Sequence, residues 1–220
     1  MSLIKNILVI TEFDDQGIKP SAYETIHAAR LLADSFNGQV HVFCFGFGNP
    51  DKAKQLFNYG ADRVQVLNNP LYSTISLDLG LMAIEPQIIK DKPYAVFFPA
   101  TTHGKEFAAS LSAKFNVGLA TDCVAVQAGG DNQIIVRRPV YAGKALSNLV
   151  LNGSGPHILS LRQNTFRGPG PDFSRVGDIE LLDINVSDDQ RVLKIREVVK
   201  ETGSQLDITE ARVVVSGGLG

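Results

Sequence analysis

A chain of 220 residues, 44% of them hydrophobic, is long enough to bury a large core without a disulfide or a structural metal. The formal net charge of −2 and the lack of long Lys/Arg runs exclude nucleic acid or an anionic membrane surface as the expected main partner. No stretch approaches the roughly 18 apolar residues of a membrane-spanning helix, so no membrane insertion is expected. Cys44 and Cys123 lie in apolar runs and are expected to be buried free thiols of a cytoplasmic protein.

The first half of the chain alternates between strand and helix patterns. Continuous apolar runs are typical of parallel strands covered on both faces, and they predict strands at Asn6–Ile10, Gln39–Phe45, Arg63–Leu67 and Tyr94–Pro99. Helical patterns predict a first helix that opens at the capping box Ser21-Ala22-Tyr23-Glu24, then helices at Asp51–Tyr59, Ile75–Lys90 and Glu106–Phe115. Strands that alternate with helices are joined by right-handed crossovers. The predicted fold is therefore α/β, a mostly parallel sheet with flanking helices of the Rossmann-like type.

The second half of the chain begins with three short β-rich segments separated by glycine-containing turns, at Gln133–Pro139, Ala145–Leu151 and His157–Leu161. They are too close together for crossover helices, so we expect added antiparallel strands in the same sheet. The breaker cluster Arg167-Gly168-Pro169-Gly170-Pro171 predicts the end of the compact part. Asp178–Val186 is a candidate for one more strand.

The last part of the chain is expected to leave the compact domain. The apolar residues of Asp188–Lys200 fit one face of a helix, but their β-branched side chains equally favour an extended arm. Gly203–Thr209 has the composition of a linker. After it, Val213–Val215 is predicted to be a buried strand followed by a glycine-rich turn, which is how a nucleotide-binding β-α unit begins.

The sequence contains no strong catalytic or metal-binding motif. The four histidines lack metal-ligand spacing, and there is neither a phosphate-binding loop nor a nucleophile elbow. At Thr101–Lys105 a strand ends and a helix begins, with hydroxyls, a histidine and a lysine that either bind an anion or simply cap the helix. In Arg137–Ala145, adjacent arginines point to opposite faces of a strand, so one is free for solvent or a partner. Pro139 favours an edge strand or a bulge there.

Three segments, in this order and spacing, resemble the alpha subunit of electron-transfer flavoprotein: ATTHGKEFAASLSAKFNVGLATDC, RRPVYAGKAL and TEARVVVSGG. The similarity runs essentially from Ile7 to Gly218. It implies an adenine-nucleotide-binding-like α/β scaffold domain, a connecting arm and a second domain that holds FAD. It also implies a heterodimer with a beta subunit, which carries the family's AMP. Such a protein is an electron carrier, not an enzyme, and passes electrons from flavin dehydrogenases to a quinone oxidoreductase.

The cofactor-binding residues that the resemblance implies belong to the first turn of the FAD domain: Ser216, Gly217, Gly218 and Leu219. The family normally has an arginine at the position of Leu219. The leucine side chain neither donates a hydrogen bond nor carries charge. We therefore expect a scaffold domain at 1–187, an arm at 188–210 and only the start of the FAD domain at 211–220. On this expectation the chain is truncated, cleaved or naturally short, and it holds no FAD by itself.

Two alternatives to the electron-transfer subunit stay open. The chain is either a cofactor-free interaction module or a nucleotide-binding domain that uses Thr101–Lys105, as its fold relatives would. For a subunit that meets a beta subunit, we expect the interface at Arg137–Ala145 and Asp188–Lys200. Exposed strand edges favour pairing with another chain, and the arm carries apolar side chains without a core of its own.

Overall fold

Strands and helices alternate in the computed structural model, which describes residues 5–14, 17–45, 50–74, 76–153, 155–193, 195–197 and 213–218. The first strands are β1 (Ile7–Asp14), β2 (Gly17–Ile18), β3 (Val40–Phe45), β4 (Arg63–Leu67) and β5 (Ala95–Pro99). The helices are α1 (Pro20–Ser35), α2 (Pro50–Ala53), α3 (Leu77–Asp91) and α4 (Thr102–Phe115), with 3₁₀ turns at Lys54–Tyr59 and Pro70–Tyr72. The later strands are β6 (Leu119–Cys123), β7 (Ala125–Ala128), β8 (Ile134–Val140), β9 (Ala145–Leu151), β10 (His157–Leu161) and β11 (Asp178–Leu182).

One large sheet organises the domain, with the strand order β11-β4-β3-β1-β5-β10-β6. All of these neighbours pair in parallel, and only the short β2 pairs antiparallel, with β1. The predicted α/β class with a mostly parallel sheet is confirmed. Because β3 and β5 lie on opposite sides of β1, the chain reverses its winding direction there. The carboxyl ends of β1 and β5 therefore form a topological switch point, where ligands of open α/β sheets bind.

Alternate residues of the central strands build two apolar cores, one on each face of the sheet. Ile7 and Val9 of β1 lie in the core that α1 covers, together with Ile26. Leu8 and Ile10 lie in the other core, under α3 and α4. This is the side-chain alternation of a strand buried on both faces. The two cysteines, Cys44 and Cys123, are buried and free, as predicted.

Strands β7, β8 and β9 form a separate antiparallel sheet, and not additions to the large sheet as predicted. The prediction that His157–Leu161 is antiparallel is also wrong, since β10 pairs in parallel with β5 and β6 inside the large sheet. The small sheet packs Ile134 and Val136 of β8 into the core that α1 covers. It thus takes the place of a crossover helix between β6 and β10. Short spacing along the sequence therefore did not mean antiparallel pairing.

Pro139 lies in the middle strand of the small sheet, but β7 ends before it, so Pro139 itself occupies an edge position, as predicted. β7 pairs with β8 only as far as Ala125 opposite Arg137, whereas β9 continues to Ala145 opposite Val140. Pro139 therefore has a single neighbouring strand. Because β7 has already ended on the other side, the missing N–H of Pro139 interrupts no hydrogen-bond ladder there.

Two local predictions around α1 have different outcomes. The capping box at Ser21 is wrong, because α1 begins at Pro20 and its N-cap, Lys19, makes no side-chain capping bond. Proline suits the first helical position, where an N–H would have no partner in the helix. The second prediction, made from the glycine that follows the helical pattern, is that the segment ends at Gly38; it does, and a Cβ built on Gly38 would lie 2.0 Å from the carbonyl oxygen of Lys5. Only glycine permits that approach of the two backbones.

The Gly-Pro cluster does not end the compact part, contrary to the prediction. The cluster itself runs close to α1, since a Cβ on Gly168 would lie 2.7 Å from Cγ of His27. The N–H of Asp172 donates to the carbonyl of Asn58 at 2.8 Å. The chain then adds β11 in parallel to β4 at the edge of the sheet, which confirms the further strand predicted there.

The described part of the predicted arm is neither a helix nor a strand. Its residues Asp188–Gln190 form a 3₁₀ turn, and the backbone N–H groups of Val192 and Leu193 donate to Oδ2 of Asp78 at 3.1 and 3.0 Å. Residues 194 and 198–212, which include the whole predicted linker, lie outside the described residues. In the parts described, no helix is long and apolar enough to cross a membrane.

Val213–Val215 is not the predicted buried strand. These three valines are 57–91% exposed, and no strand within the described ranges pairs with them. A lone extended segment has no neighbour to share backbone hydrogen bonds with, so apolar composition alone does not make it a strand.

Candidate functional site

A pocket of about 330 Å³ opens at the switch point, above the carboxyl ends of β1 and β5. Its lining includes Glu12 at the end of β1, Lys19 before α1, and the predicted junction Thr101–Lys105 that joins β5 to α4. Glu12 is only 5% exposed, although it is a charged residue. The sheet therefore brings the predicted junction against a buried carboxylate.

The Glu12 carboxylate is held by three side chains from two different segments. Thr101 Oγ1 donates to Oε1 at 2.6 Å, while Lys19 Nζ and His103 Nδ1 lie 3.2 and 3.5 Å from Oε2. Thr101 Oγ1 also accepts from the N–H of Gly104 at 3.0 Å. The predicted capping role of Thr101 is thus confirmed.

The pKa shifts in this cluster follow from those contacts. Burial by itself raises the pKa of Glu12, but the hydrogen bonds from His103 and Thr101 and the charge of Lys19 outweigh it and hold the pKa at about 2. The same hydrogen bond raises the pKa of His103 above its ordinary value. Glu12 is therefore a buried anion, and it already binds the donor and cationic groups that an external anion would need. A phosphate placed at this helix N-terminus would meet its negative charge at close range.

A second pocket, of about 460 Å³, lies beyond the carboxyl ends of β6 and β10. Asp122, in a left-handed conformation with φ of 56°, accepts hydrogen bonds from Arg162 Nε at 3.1 and 3.2 Å. These bonds lower the pKa of Asp122. The turn between β8 and β9 and the side chain of Arg138 complete the lining. This pocket is therefore built by both sheets.

Comparison with known proteins identifies the family. Residues 7–187 match the family model described as the electron transfer flavoprotein domain. This chain belongs to the electron transfer flavoprotein family. The matched range contains every strand that the described residues form.

The relatives of this family member are longer than the chain itself. It is 32% identical over 217 residues to the electron transfer flavoprotein subunit alpha of Bacillus subtilis, covering 98% of this chain and 65% of that protein. It is 27% identical over 219 residues to the lactate dehydrogenase (NAD(+),ferredoxin) subunit LctC of Acetobacterium woodii, covering 100% of this chain and 52% of that protein. Protein FixB of Azorhizobium caulinodans is 27% identical over 222 residues, with 60% of its length covered. The family-level resemblance predicted from sequence motifs is confirmed.

The residues predicted to bind FAD in this family member do not form a cradle for it. Ser216, Gly217 and Gly218 are exposed and without regular structure, and Leu219 lies outside the described residues. A Cβ built on Gly217 or Gly218 meets no other atom within 4 Å, so no described wall faces them. They line neither of the two pockets. Among the described residues no group of His, Cys, Asp and Glu could hold a metal ion either.

The small sheet and the arm present apolar side chains to solvent in this family member. Tyr141 is 82% exposed at the β8–β9 turn, and Leu146 and Val150 of β9 are 60% and 48% exposed. Arg137 also lies on the exposed side, where its Nε donates to Asn148 Oδ1 at 2.9 Å. The two arginines of the strand therefore face different surroundings, as predicted. Arg138 lies on the side of the second pocket.

Sequence reasoning missed the charged residues that complete both pockets. Glu12 lies two residues after the apolar run of β1, and Asp122 follows the predicted helix and the start of β6. Arg162 comes immediately after β10. A polar side chain at the carboxyl end of a buried parallel strand is a signal that could have found all three. Which of these ends meet in space depends on the strand order, and that order is not readable from one segment.

Proposed function

We propose that this chain is the scaffold part of an electron-transfer flavoprotein alpha subunit, which assembles with a beta subunit. In the complete complex, FAD passes electrons from flavin dehydrogenases to an acceptor such as a quinone oxidoreductase. The observation that carries this proposal is the family match over 7–187, which covers the whole described sheet. Since the chain spans 65% of the length of the Bacillus relative, the activity of the whole protein belongs to this proposal.

The flavin chemistry is assigned to groups other than the described residues of this chain. Ser216, Gly217 and Gly218 do not fit the cofactor as described, so no electron-transfer step is derived through them. The redox chemistry is that of the flavin, and the protein's part is to position it and its partner. We assign to this chain the role of a rigid platform: a sheet with two packed cores and an exposed small sheet beside it.

We further infer that the chain is an electron carrier subunit and not itself an enzyme. The Bacillus relative is named as an electron transfer flavoprotein subunit, although the Acetobacterium relative is a subunit of a named lactate dehydrogenase. A platform subunit is compatible with both settings, because neither requires a catalytic group on this domain. A cytoplasmic location is part of the same proposal and is supported by the buried free thiols.

The beta subunit is expected to meet the surface formed by Arg137–Ala145 and the arm Asp188–Lys200. On the first segment Tyr141 is 82% exposed, and on the second Val192 and Ile195 are 82% and 42% exposed. Exposed apolar side chains of this kind are typical of a protein interface. Aromatic and arginine side chains, both present in Arg137–Ala145, are those that contribute most to binding.

Co-purification with the cognate beta subunit tests the proposal directly. We expect sedimentation to show a 1:1 complex, whereas the 220-residue chain alone is expected to purify without a flavin absorbance band. A chain that stays monomeric in the presence of the beta subunit would contradict the scaffold role. A yellow chain with stoichiometric FAD would contradict the assignment of the flavin to other elements. A 1:1 complex without flavin is compatible with the proposal, because the flavin is assigned to other elements.

The nucleotide-binding alternative is supported by the position of the first pocket but opposed by its charge. The pocket lies at the switch point, yet Glu12 already holds Thr101, His103 and Lys19. Calorimetric titration of the chain with AMP and with ATP is expected to give no binding heat. Micromolar binding of either nucleotide, lost in Lys105→Gln, would establish the alternative.

A further inference from the structure

The second pocket contains an arginine that the described residues leave without an ion-pair partner. The side chain of Arg138 makes no hydrogen bond or salt bridge with any described residue, and its Nε is buried and unsatisfied. Its charge acts at longer range on Asp122 and Cys123. Asp122 cannot serve it in full, because that carboxylate already accepts the hydrogen bonds of Arg162. A half-buried guanidinium in this position lacks the oxygen ligands that such groups normally find.

The surroundings of Arg138 carry excess positive charge. The lining includes two arginines and one aspartate, and the charge of Lys105 also acts on Asp122. The guanidinium is planar and presents its donors in a fork that matches a carboxylate. The pocket therefore has the charge and the donor geometry for one additional carboxylate.

The turn that roofs the pocket holds an unusual backbone conformation. Tyr141, Ala142 and Gly143 have φ values of 51°, 53° and 87°, so three successive residues are left-handed and two of them are not glycine. The turn is held by bonds from the N–H of Gly143 to the carbonyl of Val140 and from Lys144 to Tyr141, both at 3.1 Å. Strained conformations of this kind persist at sites where a fixed shape serves a contact. Here the turn places the exposed ring of Tyr141 at the rim of the pocket.

We propose that this pocket receives an Asp or Glu side chain of the beta subunit, with Arg138 as its main ligand and Tyr141 packing over the contact. The inference rests on the proposed function, since the pocket lies within the Arg137–Ala145 surface assigned there to the beta subunit. A protein carboxylate is favoured over a small anion because the exposed ring of Tyr141 forms the rim of the pocket, so a macromolecular surface covers this ring and Arg138 together. Burial by that surface strengthens the charge pair.

Association with the cognate beta subunit, measured for matched variants, tests this contact. Arg138→Gln is expected to raise the dissociation constant at least tenfold, and Arg138→Lys to raise it less, because the charge remains while the fork is lost. Arg167→Gln serves as control, since Arg167 is an exposed arginine outside both the pocket and the proposed interface. The dissociation constant of the wild type should also rise more steeply with salt than that of Arg138→Gln. Unchanged thermal transitions establish that the variants are folded.

Charge reversal identifies the partner group. Arg138→Glu is expected to abolish association, and one Asp→Arg or Glu→Arg substitution in the beta subunit is expected to restore it. Association of Arg138→Gln within twofold of wild type, or the absence of any restoring substitution, would overturn the carboxylate pocket and leave the scaffold role intact. Failure of the wild-type chain to associate at all would overturn both. If Arg138→Gln does not fold, Arg138→Lys serves as the test instead. A dissociation constant equal to that of the wild type would then overturn the proposed contact between the guanidinium fork and a carboxylate.

Discussion

Glu12 remains charged although it is almost fully buried, because its environment was assembled from distant parts of the chain. Thr101 lies 89 residues away in sequence and donates at 2.6 Å, and Lys19 and His103 add positive charge on the other oxygen. A buried carboxylate with such partners stabilises the fold only while it is ionised. Arg138 shows the opposite situation, a charge whose partner is missing from the described residues.

Glu12 makes stability depend on acid pH. Its pKa is about 2 in the fold against an ordinary 4.5, so its contribution is present above pH 4.5 and is lost as the pH falls toward 2. That difference corresponds to roughly 3 kcal/mol in the free energy of unfolding. Glu12→Gln is expected to lower stability at pH 7 and to flatten the loss of stability between those pH values. Urea unfolding of both proteins at a series of pH values measures this pH dependence of the free energy of unfolding.

The control for this prediction is Glu197→Gln, which changes an exposed carboxylate of the arm. Its curve is expected to parallel that of the wild type. The contact with Glu12 also raises the pKa of His103. The contribution of His103 to the stability of the fold is therefore present below its ordinary pKa and is lost as the pH rises through the raised value. If Glu12→Gln and wild type lose stability in parallel below pH 4.5, Glu12 is not the group responsible.

At the scale of elements, β11 is held at the sheet edge by polar contacts and by one close backbone approach. Arg63 forms a salt bridge with Glu180 of β11, and Gln65 Nε2 donates to the same carboxylate at 2.9 Å. Arg63 also lies 3.3 Å from Asp91 of α3. Just before β11, a Cβ on Gly177 would lie 2.5 Å from the carbonyl oxygen of Asp62. The edge strand thus depends on a glycine that its own apolar pattern does not reveal.

Gly177→Ala is expected to destabilise the domain by about 1–3 kcal/mol, the usual cost of forcing extra volume into a packed site. The added methyl meets the Asp62 backbone and the Phe57 ring, both at 2.5 Å, and a backbone atom cannot rotate away. Gly170→Ala is the matched control, because a Cβ there meets nothing within 4 Å. Denaturant unfolding of both variants measures the difference. Equal stabilities would show that the segment before β11 packs less closely.

At the scale of the whole molecule, the sheet buries both of its faces while the small sheet and the arm stay partly uncovered. The arm docks on the start of α3 through Asp78, which accepts from Val192 and Leu193. Burial raises the pKa of Asp78, but the bonds from Leu193 and from Ser76 outweigh it and hold that pKa below its ordinary value. The docked backbone presents Val192 and Ile195 outward. These outward side chains belong to the segment that the proposed function assigns to the beta subunit.

Ile195→Asp is expected to weaken association with the beta subunit about tenfold or more, without loss of the domain's thermal transition. Ile195 is 42% exposed, and burying such a side chain contributes about 1.5–3 kcal/mol before ordering costs. Leu31→Asp is the control, because Leu31 is 56% exposed on α1 and belongs to neither of the two segments assigned to the beta subunit. Analytical ultracentrifugation with the beta subunit measures both. Equal association of Ile195→Asp and wild type would place Ile195 outside the interface.

Local patterns were sufficient to predict the strands and helices of the first half of the chain, because apolar runs and helical periodicity indicate burial within a single segment. The capping box at Ser21 failed for a local reason, since Pro20 competes for the first helical position. The motifs that resemble the flavoprotein alpha subunit were also local, and they led to the correct family.

The sequence by itself determined the α/β class, the parallel character of the sheet and the family, since each depends on residues close together in the chain. The tertiary structure alone decided that His157–Leu161 is an interior parallel strand, because a small sheet replaces the crossover helix and brings β10 between β5 and β6. It alone decided that Glu12 meets Thr101, and that Arg138 lies beside Asp122 without an anion of its own. Those contacts join the ends of strands that are far apart in sequence, and strand order, which no single segment encodes, determines which ends meet.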